Sequence, residues 1–114
     1  MALITAQQIG YAGTNPVYSA VNASDTFAPG NDVFLDVFNT NGATRDITIA
    51  TTATASGGLA VADVVVTIAA TTGHELIGPF PAQYFADSVT GLVTVTYSSA
   101  TGVTAGLFRL SPVL

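Results

Sequence analysis

Short β-forming runs, each cut off by a cluster of Gly, Pro, Asn, Asp or Ser, follow one another along this chain at intervals of roughly 8–12 residues. That rhythm constrains the fold more than any single residue, because it leaves no stretch long enough for a well-formed helix. Val33–Asn39 alternates most tellingly. Val33, Leu35 and Val37 share one face, while Phe34, Asp36 and Phe38 share the other. Two aromatics around an acid do not make a plain solvent face, so we expect one face in the core and the other partly covered.

The remaining runs are read in the same way. Pro16–Val21 is expected to form a short first strand. Asn22–Asp32 collects turn formers and reads as a loop, with Phe27 as a plug beneath it. Asn41-Gly42 predicts a hairpin joining Val33–Asn39 to Arg45–Thr52, because both residues tolerate positive φ. Thr51–Gly58 reads as a surface loop, since its β-branched threonines and Gly-Gly oppose the helix that its alanines suggest. Val61–Ala69 is expected to be a strand with Val64, Val66 and Ile68 inward. Glu75–Ile77, Leu92–Ser98 and Val103–Leu110 are expected to be further strands. Between the first two of these lies the corner Gly78-Pro79-Phe80-Pro81, where Pro81–Phe85 has room for one helical turn. Asp87–Gly91 and Ser99–Gly102 read as turns, and Ser111–Leu114 as a tail. The sum predicts an all-β chain: a single β-sandwich or jelly-roll-like domain of about seven to eight short antiparallel strands over residues 16–114. Residues 1–15 precede it as an N-terminal arm.

A chain of 114 residues fits one domain and buries enough surface for a core without staples. It has no cysteine, so disulfides and thiolate metal sites are excluded. Charge is its most unusual property: 8% of residues are charged against about 25% in an average soluble domain. Lysine is absent, and Arg45 and Arg109 stand against seven acids, for a net charge of -5. Two arginines cannot supply the phosphate contacts on which nucleic-acid affinity depends, nor bind an anionic membrane. The richest apolar run, Leu59–Ala70, contains Asp63 and falls short of the ~20 residues of a spanning helix. The opening MALITAQQIG has neither the basic nor the long apolar region of a signal peptide, so synthesis as a soluble cytoplasmic chain is expected.

Few residues could carry chemistry. His74 is the sole imidazole and Glu75 the sole glutamate, but strand neighbours point to opposite faces and should not meet. No Gly-x-Ser-x-Gly nucleophile motif accompanies them, so we expect no enzyme and read His74 as structural. Asp25, Asn31 and Asp32 fall within one stretch where oxygen ligands could hold a Ca²⁺, although their spacing is not that of an EF-hand and turn formation explains them equally well. Gly57-Gly58 is followed by no lysine and so is not a phosphate cradle. No cofactor is expected. Tyr11, Tyr18, Tyr84 and Tyr97 are the residues on which a carbohydrate-binding β-sandwich would stack sugars. The low charge and Thr-rich faces suit a surface that docks on other subunits, because interface cores are depleted in charge.

Several segments in order resemble a known family. They are Met1-Ala2-Leu3, Asp25-Thr26-Phe27-Ala28, Asn31-Asp32 leading into Phe34–Val37, Asn41-Gly42, and Leu59–Asp63 before a Val-rich strand. Glu75-Leu76-Ile77-Gly78-Pro79-Phe80-Pro81, Tyr84 and Val93–Ser98 complete the set, and Ile-Gly-Pro-Phe-Pro with Val-Thr-Tyr-Ser is its most specific part. Together they resemble the small head decoration (cement) proteins encoded beside the major capsid gene of tailed bacteriophages. This chain differs in its scarcity of Lys and Arg and in Phe85-Ala86-Asp87-Ser88, where members often have Asn-Asp. The resemblance implies a virion structural protein on the outside of the capsid, bound to the major capsid protein lattice, often as a trimer, and bracing capsomer joints. On that reading the expected contact residues are Leu3, Ile4 and Ile9 of the arm and Phe80, Tyr84 and Phe85 of the corner. A head–tail connector or tail component is the nearest alternative.

Overall fold

The computed structural model describes residues 2–52, 57–59 and 61–110, and over these the chain forms a β-sandwich of two sheets. The strands are β1 (Ala2–Leu3), β2 (Gln7–Ile9), β3 (Ser19–Ala20), β4 (Ser24–Phe27), β5 (Val33–Asn39), β6 (Arg45–Ile49), β7 (Val64–Ile68), β8 (Gly73–Ile77), β9 (Val93–Tyr97) and β10 (Val103–Leu110). One helical turn, α1 (Ala82–Phe85), follows the proline corner. The first sheet has the order β1-β4-β9-β6-β7 and the second β2-β10-β5-β8, with β3 beside β2 along β10. Among the described residues, no helix is long and apolar enough to cross a membrane.

The core lies between the sheets and is built by the alternation of the strands. Val33, Leu35 and Val37 of β5 are buried, facing Ile47 and Ile49 of β6 and Val93, Val95 and Tyr97 of β9. Each fully buried aliphatic or aromatic side chain contributes roughly 1.5–3 kcal/mol relative to exposure. Phe27 and Phe80 close one end, their ring centroids 5.0 Å apart. The corner that carries Phe80 is tied to Gly30 by reciprocal backbone hydrogen bonds of 2.9 and 3.2 Å. Gly78 enters this corner at φ 152°, and a Cβ there would stand 2.9 Å from both the Phe34 Cβ and the Val33 carbonyl oxygen. Only glycine lets the chain pass so close to β5.

The all-β sandwich expected from the sequence is therefore present, with seven strands of four residues or more and three shorter ones among the described residues. Its connections differ from expectation. Asn41-Gly42 does not make a hairpin, because β5 belongs to the second sheet and β6 to the first. Neither residue takes the positive φ that a tight hairpin turn requires. Instead the Asn39 side chain accepts from the Asn41 amide at 3.0 Å, the Asn41 side chain accepts from Ala43 at 3.1 Å, and the chain crosses between sheets.

Three further assignments change. Ser24–Phe27 is a strand rather than a loop, paired with β9 and with β1. It holds because the buried Asp25 carboxylate accepts from the Asn22 side chain at 3.1 Å, so an acid sits inside a ladder without being stranded. Of Pro16–Val21 only Ser19–Ala20 pairs; the preceding Val17 is bound through its backbone by the Gln7 side chain instead. On β7 only Ile68 is fully buried, while Val64 and Val65 are exposed, because this is an edge strand. The arm is drawn into the sandwich: β1 lies parallel to β4 in one sheet and β2 parallel to β10 in the other. The helical turn appears where expected, with Pro81 at its N-cap. The expectations for residues 53–56 and for the tail 111–114 lie outside the described residues.

Tyr97 is the one large core side chain with a polar end and no hydrogen-bond partner for it among the described residues. Burial first, and then the nearby Asp25 carboxylate, push its phenol far above the ordinary tyrosine range. A pKa raised on folding means that stability is intact below the unfolded value of about 10 and is lost as pH climbs toward the folded value. Replacing Tyr97 by Phe should raise stability at neutral pH by about 1 kcal/mol, by removing a buried hydroxyl with no protein partner. It should also flatten the loss of stability above pH ~10. Urea unfolding of both proteins across pH 7–11 measures the two effects.

Candidate functional site

The outer face of the second sheet is where chemistry-bearing side chains converge. β5 sends Phe34, Asp36 and Phe38 outward, and its register with β8 places His74 opposite Phe38. The register with β10 places Gly106 opposite Asp36 and Phe108 opposite Phe34. Gly106 leaves space that the segment before β3 occupies. A Cβ at Gly106 would stand 2.9 Å from both the Val17 carbonyl oxygen and the Phe108 ring. The chain around Pro16–Tyr18 thus runs as a strap over the sheet, held by Gln7, whose side chain donates to the Val17 carbonyl at 2.7 Å and accepts from its amide at 2.9 Å.

Asp36 is the centre of this face and is buried although it carries a carboxylate. Its Oδ2 accepts from the Tyr18 hydroxyl at 2.7 Å, and its Oδ1 is hydrogen-bonded to His74 Nε2. The hydrogen bond to Asp36, followed by burial and the carboxylate's charge, raises the Tyr18 phenol above its usual value. Tyr18 therefore stays a donor throughout the physiological range. The His74 ring stacks on Phe38 with centroids 4.0 Å apart, and Tyr18 meets Phe38 edge-on at 5.1 Å. Tyr18 and Phe34 also flank Phe108, each at 5.7 Å. Beside this cluster, Ile9, Pro16, Tyr18, Phe34, Asp36 and Phe108 line a pocket of about 240 Å³.

His74 and Glu75 point to opposite faces as expected, Glu75 lying opposite the inward Val37. The partner of His74 is Asp36, 38 residues earlier, and sequence reasoning missed it. The available signal was the Phe-Asp-Phe face of β5, which already looked covered. A His–Asp pair is two of the three members of a nucleophilic triad. Asp36 fixes the orientation of the imidazole through this bond.

The other candidates disperse. Asp25 is held by Asn22 and Asp32 pairs with Arg109 at 3.3 Å, so the two carboxylates of the suggested ion loop have separate partners. No group of three His, Asp or Glu among the described residues could hold a metal ion. Phe80, named as a contact residue, is 1% exposed, because its ring fills the core between Phe27 and Phe85; it offers no surface to a partner. Ile4 and Phe85 pack against the core as half-buried side chains, whereas Leu3 and Tyr84 are exposed. Ile9 lines the aromatic pocket. The four tyrosines do not form a stacking platform: Tyr97 is in the core, Tyr11 and Tyr84 are exposed, and only Tyr18 joins the cluster.

No protein-family model, curated protein or solved structure matches the chain.

The strap and the Asp36 cluster depend on the missing side chain at position 106. Gly106→Ala should cost about 1–3 kcal/mol, since a methyl there displaces the Val17 carbonyl or the Phe108 ring. It should also speed amide exchange at Val17 more than at β6 or β9. Hydrogen exchange by NMR separates this local loosening from a uniform loss of stability.

Proposed function

We propose that the protein is a structural component of a bacteriophage virion, a head decoration protein that self-associates and covers joints on the outer capsid surface. The observation that supports this best is the contrast between the two sides of the sandwich. On one side the N-terminal residues supply β1 and β2, which cover the edges of β4 and β10. On the other, β7 and β8 end their sheets with no further strand beside them among the described residues. Edge strands are usually guarded by lysine, bulges or proline, and this chain has no lysine at all. β7 reads Val-Val-Val-Thr-Ile and exposes Val64 and Val65, with Val65 58% accessible. Leu76 on β8 is 65% accessible.

A bare apolar edge such as β7 is a hazard for a free monomer and an asset for a subunit. Pairing with a neighbour adds backbone hydrogen bonds and buries the valines together, and a repeating lattice converts weak contacts into firm attachment through effective concentration. Leu3 and Tyr84 are the exposed members of the contact set named from the family resemblance.

The test uses expanded heads lacking the protein. Purified protein should bind them at many sites per head and raise their resistance to heat or denaturant; heads that fail to bind it, and are no weaker without it, refute the proposal. Density confined to one vertex in virion micrographs would point to a connector instead. Val65→Lys should leave the fold within about 0.5 kcal/mol of wild type, as an exposed substitution does. It should reduce self-association, measured by light scattering, and head binding by at least about tenfold, because it places a desolvated charge on the edge.

A further inference from the structure

The pocket on the outer face of the second sheet is not used by the assembly surface described above. Three rings and one acid line it, Tyr18, Phe34 and Phe108 being ring neighbours beside Asp36, together with Ile9, Thr14 and Pro16. At about 240 Å³ it is smaller than the roughly 300–1,000 Å³ of sites that enclose a whole cofactor or drug-sized ligand. It suits one side chain.

Its charge selects the kind of side chain. A carboxylate offers about four acceptor positions, and Asp36 uses two, one for Tyr18 and one for His74. The faces of aromatic rings are electron-rich and attract a cation, most strongly one that is weakly hydrated and planar. Among the described residues, both cationic side chains of the protein are engaged elsewhere. Lysine is absent, Arg45 donates to the Thr44 and Thr101 carbonyls, and Arg109 pairs with Asp32. A net charge of -5 favours the approach of a basic partner from a distance.

We infer that this pocket is a receptor for an arginine side chain presented by a partner protein, the guanidinium lying against the Tyr18, Phe34 and Phe108 rings and hydrogen-bonding to Asp36. The pocket binds the side chain whether or not the partner is a capsid, so a small probe tests the inference independently of the virion proposal. The probe is Nα-acetyl-arginine amide, titrated into the intact protein and followed by NMR of the aromatic side chains. Nα-acetyl-citrulline amide, neutral and nearly isosteric, and a neutral hexose serve as comparisons.

Arginine amide should shift the Tyr18, Phe34 and Phe108 resonances and saturate in the millimolar range, and citrulline amide should not. Phe34→Leu, which keeps apolar volume and removes a ring face, should weaken binding roughly fivefold. Asp36→Asn should weaken it at least about tenfold, since a charge-assisted contact is lost. Should Asp36→Asn fail to fold, Phe34→Leu decides the matter alone. Absence of saturation, equal response to citrulline amide, undiminished binding by Phe34→Leu, or saturation by the hexose in place of arginine each overturns the inference.

Discussion

The buried amide of Asn39 holds together two of the places where the chain leaves one sheet for the other. It is 0% exposed, at the end of β5. Its Nδ2 donates to the Ala43 carbonyl at 2.9 Å and to the Ala69 carbonyl at 3.1 Å, while its Oδ1 accepts from the Asn41 amide. Ala43 lies on the crossing from β5 to β6, and Ala69 on the crossing from β7 to β8. The Thr71 amide adds a 2.7 Å bond to the Asn41 carbonyl between the same two segments. Leaving a buried amide side chain such as this one without partners costs about 1–3 kcal/mol. One amide side chain makes three of these bonds, so both passages close at the same point and the strands on either side fall into register.

This arrangement explains which parts of the fold were legible in the sequence. Alternation is a local property. The inward sets Val33, Leu35, Val37 and Val93, Val95, Tyr97 could be read directly, and both are buried. Pairing is not local. Asn41-Gly42 carries strong hairpin chemistry, yet Asn39 offers the same backbone a better-satisfied route across the sandwich, and tertiary context prevails over the turn signal. Ser24–Phe27 misled for a related reason. Asn, Ser and Asp favour loops because they bond nearby backbone, but here Asn22 and Asp25 satisfy each other and free the strand to pair.

The outer face of the second sheet follows the same division. That Phe34, Asp36 and Phe38 were not a solvent face was visible in their alternation. That His74 would meet Asp36 was not, because it depends on the β5–β8 register across a separation of 38 residues. Nor did the sequence announce the strap. The purpose of Gly106 appears only when Val17 is found against it. Phe80 is the converse case. A proline-flanked aromatic in a corner reads as a surface feature, but the corner turns inward because its backbone pairs with Gly30.

The bare edge and the aromatic pocket differ in what they can discriminate. Edge pairing is made of backbone hydrogen bonds, which any extended strand can supply, so on its own it gives affinity with little selectivity. A pocket with one carboxylate and three rings is the reverse: small in area, and demanding a cation of particular shape. The two are neighbours, since β8 pairs with β5, Leu76 lies opposite Asp36, and His74 of β8 bonds to this pocket wall. A strand added to the free edge of β8 extends the sheet in its own plane, whereas the pocket opens on the outer face. Like-to-like contacts then suit the edge, and the selection of a basic partner falls to the pocket.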